Sequence, residues 1–141
     1  HPQVVVMERT NIRNMPEATL TPSPSIVVAD LSFISLSQVL PALIANAEVV
    51  ADFLLMVKPQ FEVGKDSLGA GGVVRDPELR KDAIRKVIDS GAQLGLGCNG
   101  VVASALPGPK GNVEYFVWLK KGGAIIGDKE IETAIAKGPQ S

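Results

Sequence analysis

The chain reads as short apolar runs separated by stretches in which apolar residues return every three or four positions. Continuous runs at 4–7, 25–29, 53–57 and 113–119, with a shorter one at 101–103, predict five strands. The unbroken run from Phe53 to Val57 has the character of a strand buried on both faces of a parallel sheet. Helical spacing marks three other stretches. Leu36, Val39, Leu40 and Leu43 predict a helix capped by Ser35 or Ser37 and ending near Asn46, with Pro41 expected to bend or shorten it. Asp76, Pro77 and Glu78 signal the start of a helix over 77–94, since they supply a cap, a proline at the first helical position and an acid at the positive end of the dipole. Its inner stripe is Leu79, Ala83, Ile84, Val87 and Ile88, which leaves Arg80, Lys81, Arg85 and Lys86 facing outward. A last helix over 128–137 buries Ile131 and Ile135. Between these elements, 10–24 has no period and is connection. The segment 62–74 carries Gly64, Gly69, Gly71 and Gly72 and reads as a mobile loop suited to closing over a substrate. A tight turn at 107–112 joins 101–103 to 113–119 as an antiparallel unit at the edge of the sheet.

The polar residues at the strand ends carry the candidate chemistry. Lys58 terminates 53–57, Asp30 terminates 25–29, and Glu114 opens the run of the last strand. In open α/β sheets ligands sit outside the carboxyl ends of the strands, and a reversed strand begins at the edge where its parallel neighbours finish. The three residues therefore meet at one mouth. An amine between two carboxylates is the composition of a general base with orienting partners. To take a proton from an alcohol the amine must be neutral, a state that burial favours and neighbouring carboxylates oppose. On the residues alone, a structural ion-pair network remains an equal reading of the same triplet. Glu8, at the end of 4–7, is either a solvated strand terminus or an acceptor for the hydroxyls of a nucleotide ribose.

Composition narrows the class. With 141 residues, 45% of them hydrophobic and few aromatic, the chain makes one domain with an aliphatic α/β core. The single cysteine, Cys98, excludes an internal disulfide, points to the cytoplasm and reads as a small buried apolar side chain. Fourteen basic against fifteen acidic residues leave a formal charge of −1, so a polyanion finds no global attraction and would be gripped largely elsewhere. The glycines of 62–74 lack the Gly-Lys-Ser/Thr of a phosphate-binding loop, and no metal site is expected. No apolar run approaches the roughly 20 residues of a membrane span. The chain opens on His1-Pro2 with a strand close behind, which predicts a piece of a longer protein.

Four motifs together resemble a known family: Val27-Val-Ala-Asp30-Leu-Ser-Phe-Ile-Ser-Leu36, Lys58-Pro-Gln-Phe-Glu62, Gly72-Val-Val-Arg-Asp-Pro77, and Gly108-Pro-Lys-Gly-Asn-Val-Glu114 with Trp118-Leu119. In this order they look like the TlyA family, also called haemolysin A, whose catalytic domain resembles the FtsJ-type ribose methyltransferases. The resemblance implies S-adenosylmethionine as cofactor, a ribose 2′-hydroxyl of ribosomal RNA as acceptor, and a Lys-Asp-Lys-Glu tetrad. Asp30 matches its aspartate, Lys58 its second lysine and Glu114 its glutamate. Lys58 is then the base or hydroxyl orienter, Asp30 and Glu114 set its charge and position, and Glu8, with Asp30, serves the cofactor. Lys65, Arg75 and Lys110 flank the mouth and are candidates for RNA phosphates. The family's first lysine, its glycine-rich Asp-x-Gly turn and an S4-type RNA-binding domain match nothing here. The resemblance thus implies that residues 1–141 are the carboxyl-terminal part of one FtsJ-like domain: a Rossmann-like methyltransferase sheet, mostly parallel with an antiparallel last strand, lacking its first strand. Without the strand that ordinarily separates them, 4–7 and 25–29 have open edges, to be covered by swapping, by a homodimer or by release of residues 1–24. The isolated chain is expected to be inactive and to bind the cofactor weakly. Two other classes stay open, a non-catalytic RNA-binding or scaffolding fragment and a membrane-lytic haemolysin.

Overall fold

A computed structural model describes residues 1–140. Its strands β1 (Ile26–Ala29), β2 (Asp52–Val57), β3 (Leu96–Ala103) and β4 (Tyr115–Lys121) form one sheet in the order β1-β2-β4-β3. β1 and β2 are parallel, and β4 runs antiparallel to both its neighbours, so β3 points the same way as β1 and β2. The expected α/β sheet, mostly parallel with its last strand reversed, is therefore present. The last two strands form the expected antiparallel unit at the edge. β3 is longer than 101–103 and forms the edge, while β4 lies inside. The long helix that leaves the β2 side returns the chain one strand position too far, and the reversed strand fills the gap by pairing on both sides.

The helices are α1 (Leu36–Ala45), α2 (Pro59–Glu62), α3 (Pro77–Gln93) and α4 (Asp128–Lys137). Ser35 caps α1, its side chain accepting from the Ser37 N–H, and Asp76 caps α3 by accepting from Glu78 N–H. Pro41 does not stop α1. Its own side chain is exposed, and the helix continues past it to Ala45. α1, α3 and α4 bury Leu40, Ile84, Val87 and Ile131 against Phe53, Leu55, Val117 and Leu119 in a single core on one side of the sheet. The opposite side is open: Ile26, Val28, Leu54, Val102 and Trp118 are 38–69% exposed. β2 is thus buried on one face only, because none of the described helices packs on the other. No helix among the described residues is long and apolar enough to cross a membrane.

Two further expectations are corrected. Residues 4–7 form no strand, and Val4, Val5, Val6 and Met7 are exposed. β1 is the sheet's edge, and its outer side is left unpaired by them. The following segment is not released, since Ile12 packs against the core and the Thr19 N–H donates to the buried Asn46 side chain at 2.9 Å. Arg80 does not face outward: it is fully buried, with Nε donating to the Val74 carbonyl at 3.1 Å. It falls on the helical stripe of Ile84 and Val87, so the period that turns those residues inward turns Arg80 inward too.

Candidate functional site

Three chain reversals bring the site together at one edge of the sheet. β1 ends at Ala29 and releases Asp30, and β2 ends at Val57 and releases Lys58, which precedes the proline that opens α2. Val57 pairs with Tyr115, so Lys58 and Glu114 are the next cross-strand positions beyond the ladder. The Ser104 N–H donates to the Glu114 carbonyl at 2.8 Å and carries β3 to the same edge.

The Lys58 amine is buried, forms an ion pair with Asp30 and donates to Ser32 Oγ at 3.2 Å. The Asp30 side chain is 64% exposed. Glu114 is buried but makes no ion pair with Lys58; its Oε2 accepts from Gln60 Nε2 at 3.1 Å. Its carboxylate lies over Gly108, where an added Cβ would sit 2.5 Å from it and push it out of its present place. The structure therefore joins Lys58 directly to Asp30, and Glu114 to the same one-turn helix through Gln60.

The glycine-rich segment is more ordered than its composition suggests. Buried Asn112 clasps it, accepting from the Val74 N–H at 2.9 Å and donating to the Gly72 carbonyl at 3.1 Å. Arg75 donates to the Ala70 carbonyl at 3.1 Å, and the Lys110 amine reaches toward Gly72. Lys65 is exposed on a single 3-10 turn of the same segment. Beneath the mouth, burial pushes the Tyr115 phenol above its ordinary pKa, while nearby Arg80 pulls the other way. Glu8 stands apart. It is exposed, and its side chain has no hydrogen bond or ion pair with Asp30, Lys58 or Glu114.

Other residues of the site were not singled out from the sequence. Phe33 is 88% exposed, stands at φ +65° and meets the Phe61 ring with centroids 5.0 Å apart. The two rings line a groove of about 670 Å³ with Arg13, Gln38, Gln60 and Lys65. Ser32, Gln60 and Glu62 all lie inside the motifs around Asp30 and Lys58, but nothing in their spacing tells which polar side chain of a loop or one-turn helix points inward.

Known proteins resemble this chain in sequence and fold. A profile described as FtsJ-like methyltransferase matches residues 1–121. The chain belongs to the FtsJ-like methyltransferase family. It is 54% identical over 119 residues to the 16S/23S rRNA (cytidine-2′-O)-methyltransferase TlyA of Mycobacterium tuberculosis, covering 84% of this chain and 44% of that protein. It is 41% identical over 118 residues to YqxC of Bacillus subtilis, a candidate rRNA methyltransferase, covering 83% of this chain and 42% of that one. A Lactococcus lactis crystal structure described as a candidate hemolysin superposes with a TM-score of 0.89 at 38% identity, over 97% of this chain and 67% of its own. The FtsJ-like chain thus spans less than half the length of the curated relatives it matches.

Proposed function

We propose that this domain, as the carboxyl-terminal part of an FtsJ-like catalytic domain in the whole protein, transfers the methyl group of S-adenosylmethionine to a ribose 2′-hydroxyl of ribosomal RNA in the cytoplasm. The observation that carries the reading is the buried Lys58 amine paired with Asp30 at the carboxyl edge of the sheet. An ammonium has three donor positions. Asp30 and Ser32 take two, which leaves the third for the oxygen of an incoming hydroxyl. Lys58 then orients that oxygen, Asp30 holds the amine in place, and Glu114, held by Gln60, adds a second carboxylate at the same edge.

S-Adenosylmethionine, when bound, supplies an electrophilic methyl group. Asp30 fits it in part: with one oxygen on Lys58 and its side chain 64% exposed, the carboxylate keeps acceptor capacity for a cofactor donor. For Glu8 to hold the cofactor ribose, residues 4–7 must first join the sheet beyond the strand that ordinarily separates them from 25–29. Toward the RNA, Lys65, Arg75 and Lys110 are suited to phosphates, and the exposed Phe33 ring offers a surface for an unstacked base. The partner is ribosomal RNA or a ribosomal subunit.

In the whole protein, Lys58→Ala lowers transfer of labelled methyl to ribosomal RNA by roughly 100-fold or more, the scale for losing the group that positions a reacting atom, while cofactor affinity stays near that of the wild type. Substantial methyl transfer by the Lys58→Ala protein sinks the assignment.

A further inference from the structure

Two short segments carry the site, 30–36 after β1 and 58–62 after β2, and they are laced together at three levels. At one end Lys58 holds Asp30 and Ser32. In the middle Phe61 meets Phe33. At the far end the Glu62 carboxylate, 1% exposed, accepts from Ser35 Oγ at 2.6 Å and from the Leu36 N–H at 2.8 Å. Lys86 of α3 stands 3.5 Å from the same carboxylate and donates to the Glu62 carbonyl at 3.1 Å.

Helix stability alone does not call for this carboxylate. α1 already has its cap in Ser35, whose Oγ accepts from the Ser37 N–H at 3.2 Å. Burying a carboxylate is costly unless it is paired, and apolar replacements often serve stability as well, so what such a group adds is a defined geometry. Two observations say which geometry is held. Phe33 keeps a left-handed backbone at φ +65°, a conformation that a bulky residue maintains only where its surroundings impose it. α2 is a single turn closed by Phe61 N–H to the Lys58 carbonyl at 2.9 Å and Val63 N–H to the Pro59 carbonyl at 3.0 Å, so a shift at residue 62 is transmitted to residue 58.

We propose that Glu62 is a positioning residue for methyl transfer: by fixing 30–36 against α2 it sets where the Lys58 amine stands relative to Asp30. This rests on the function proposed above. Glu62→Gln keeps the shape but replaces one acceptor with a donor among donors. In the whole protein, at saturating S-adenosylmethionine and ribosomal RNA and well below the unfolding temperature, its kcat falls roughly 10- to 100-fold, the scale of an ångström of misplacement, while KM for the cofactor stays within about twofold. Ser35→Ala acts through the same contact, so the double variant is no slower than Glu62→Gln alone. A second readout needs no activity: in protein labelled at the lysine ε-carbons, the Lys58 signal, assigned by its loss in Lys58→Ala, moves in Glu62→Gln. Wild-type kcat in Glu62→Gln overturns the proposal, as does an unmoved Lys58 signal. If the wild-type protein methylates no RNA, the function reading fails, and the Lys58 signal still decides whether Glu62 positions it.

Discussion

The two faces of the sheet are built from alternate residues of the same strands, yet they have opposite fates. Phe53, Leu55, Val117 and Leu119 are at most 1% exposed under α1, α3 and α4. Between them on the same strands, Leu54 is 38% and Trp118 41% exposed. Leu54 pairs across to Trp118 and to Val28, and in the next row of the same face Phe116 pairs with Met56 on one side and Val102 on the other, so the open side is one continuous apolar surface rather than scattered side chains. The difference is not one of hydrophobicity. A strand offers both faces equally, and burial is conferred by whatever packs across it. The site sits at the edge that both faces share, but the contacts holding it come from the covered side: Glu62 reaches α1 and α3, and Arg80 of α3 supports Val74.

The sharpest way to break this comparison is to truncate neighbours. Leu55→Ala should cost about 2–5 kcal/mol, as for a large-to-small change in a packed core, whereas Leu54→Ala next to it should stay within about 1 kcal/mol. Denaturant unfolding of both variants checks it, and equal losses would mean that the open face is covered in solution. A gentler probe uses the only tryptophan in the sequence. Trp118 fluorescence should be quenched readily by acrylamide in this chain and less so in the whole protein, if the rest of that protein covers the open face. Protection in the isolated chain that fades on dilution would point instead to self-association through this face.

The smallest effect concerns the polar corner of the open face. Asp52 accepts from the Trp118 indole at 2.8 Å and from Lys120 at 3.1 Å, and these hydrogen bonds, the indole's foremost, hold its carboxyl below the ordinary value of 3.8. A depressed folded-state pKa contributes stability that is fully present above 3.8 and is lost as pH falls through the lower folded value. Asp52→Asn should therefore flatten the acid side of the stability profile and change little near neutrality. Denaturation midpoints measured across the acid range test it, and an unaltered acid limb would show that the corner is solvated and idle.

Much of the site was legible because its signals are local. A polar residue at the end of an apolar run marks a strand terminus whatever lies beyond, and so the pattern alone puts Asp30 and Lys58 at one mouth. The caps of α1 and α3 are equally local, since Ser35 and Asp76 bond N–H groups two residues away. Tertiary structure decided what depends on distant partners. It inserted β4 between β2 and β3, left 4–7 outside the sheet, and turned Arg80 inward. It also gave Glu114 to Gln60 rather than to Lys58, and sent Glu62 to the start of α1. Period and capping are properties of a few consecutive residues, so the sequence states them. Burial, pairing and the direction of a lone polar side chain depend on surfaces contributed from elsewhere, and only the packed chain determines those.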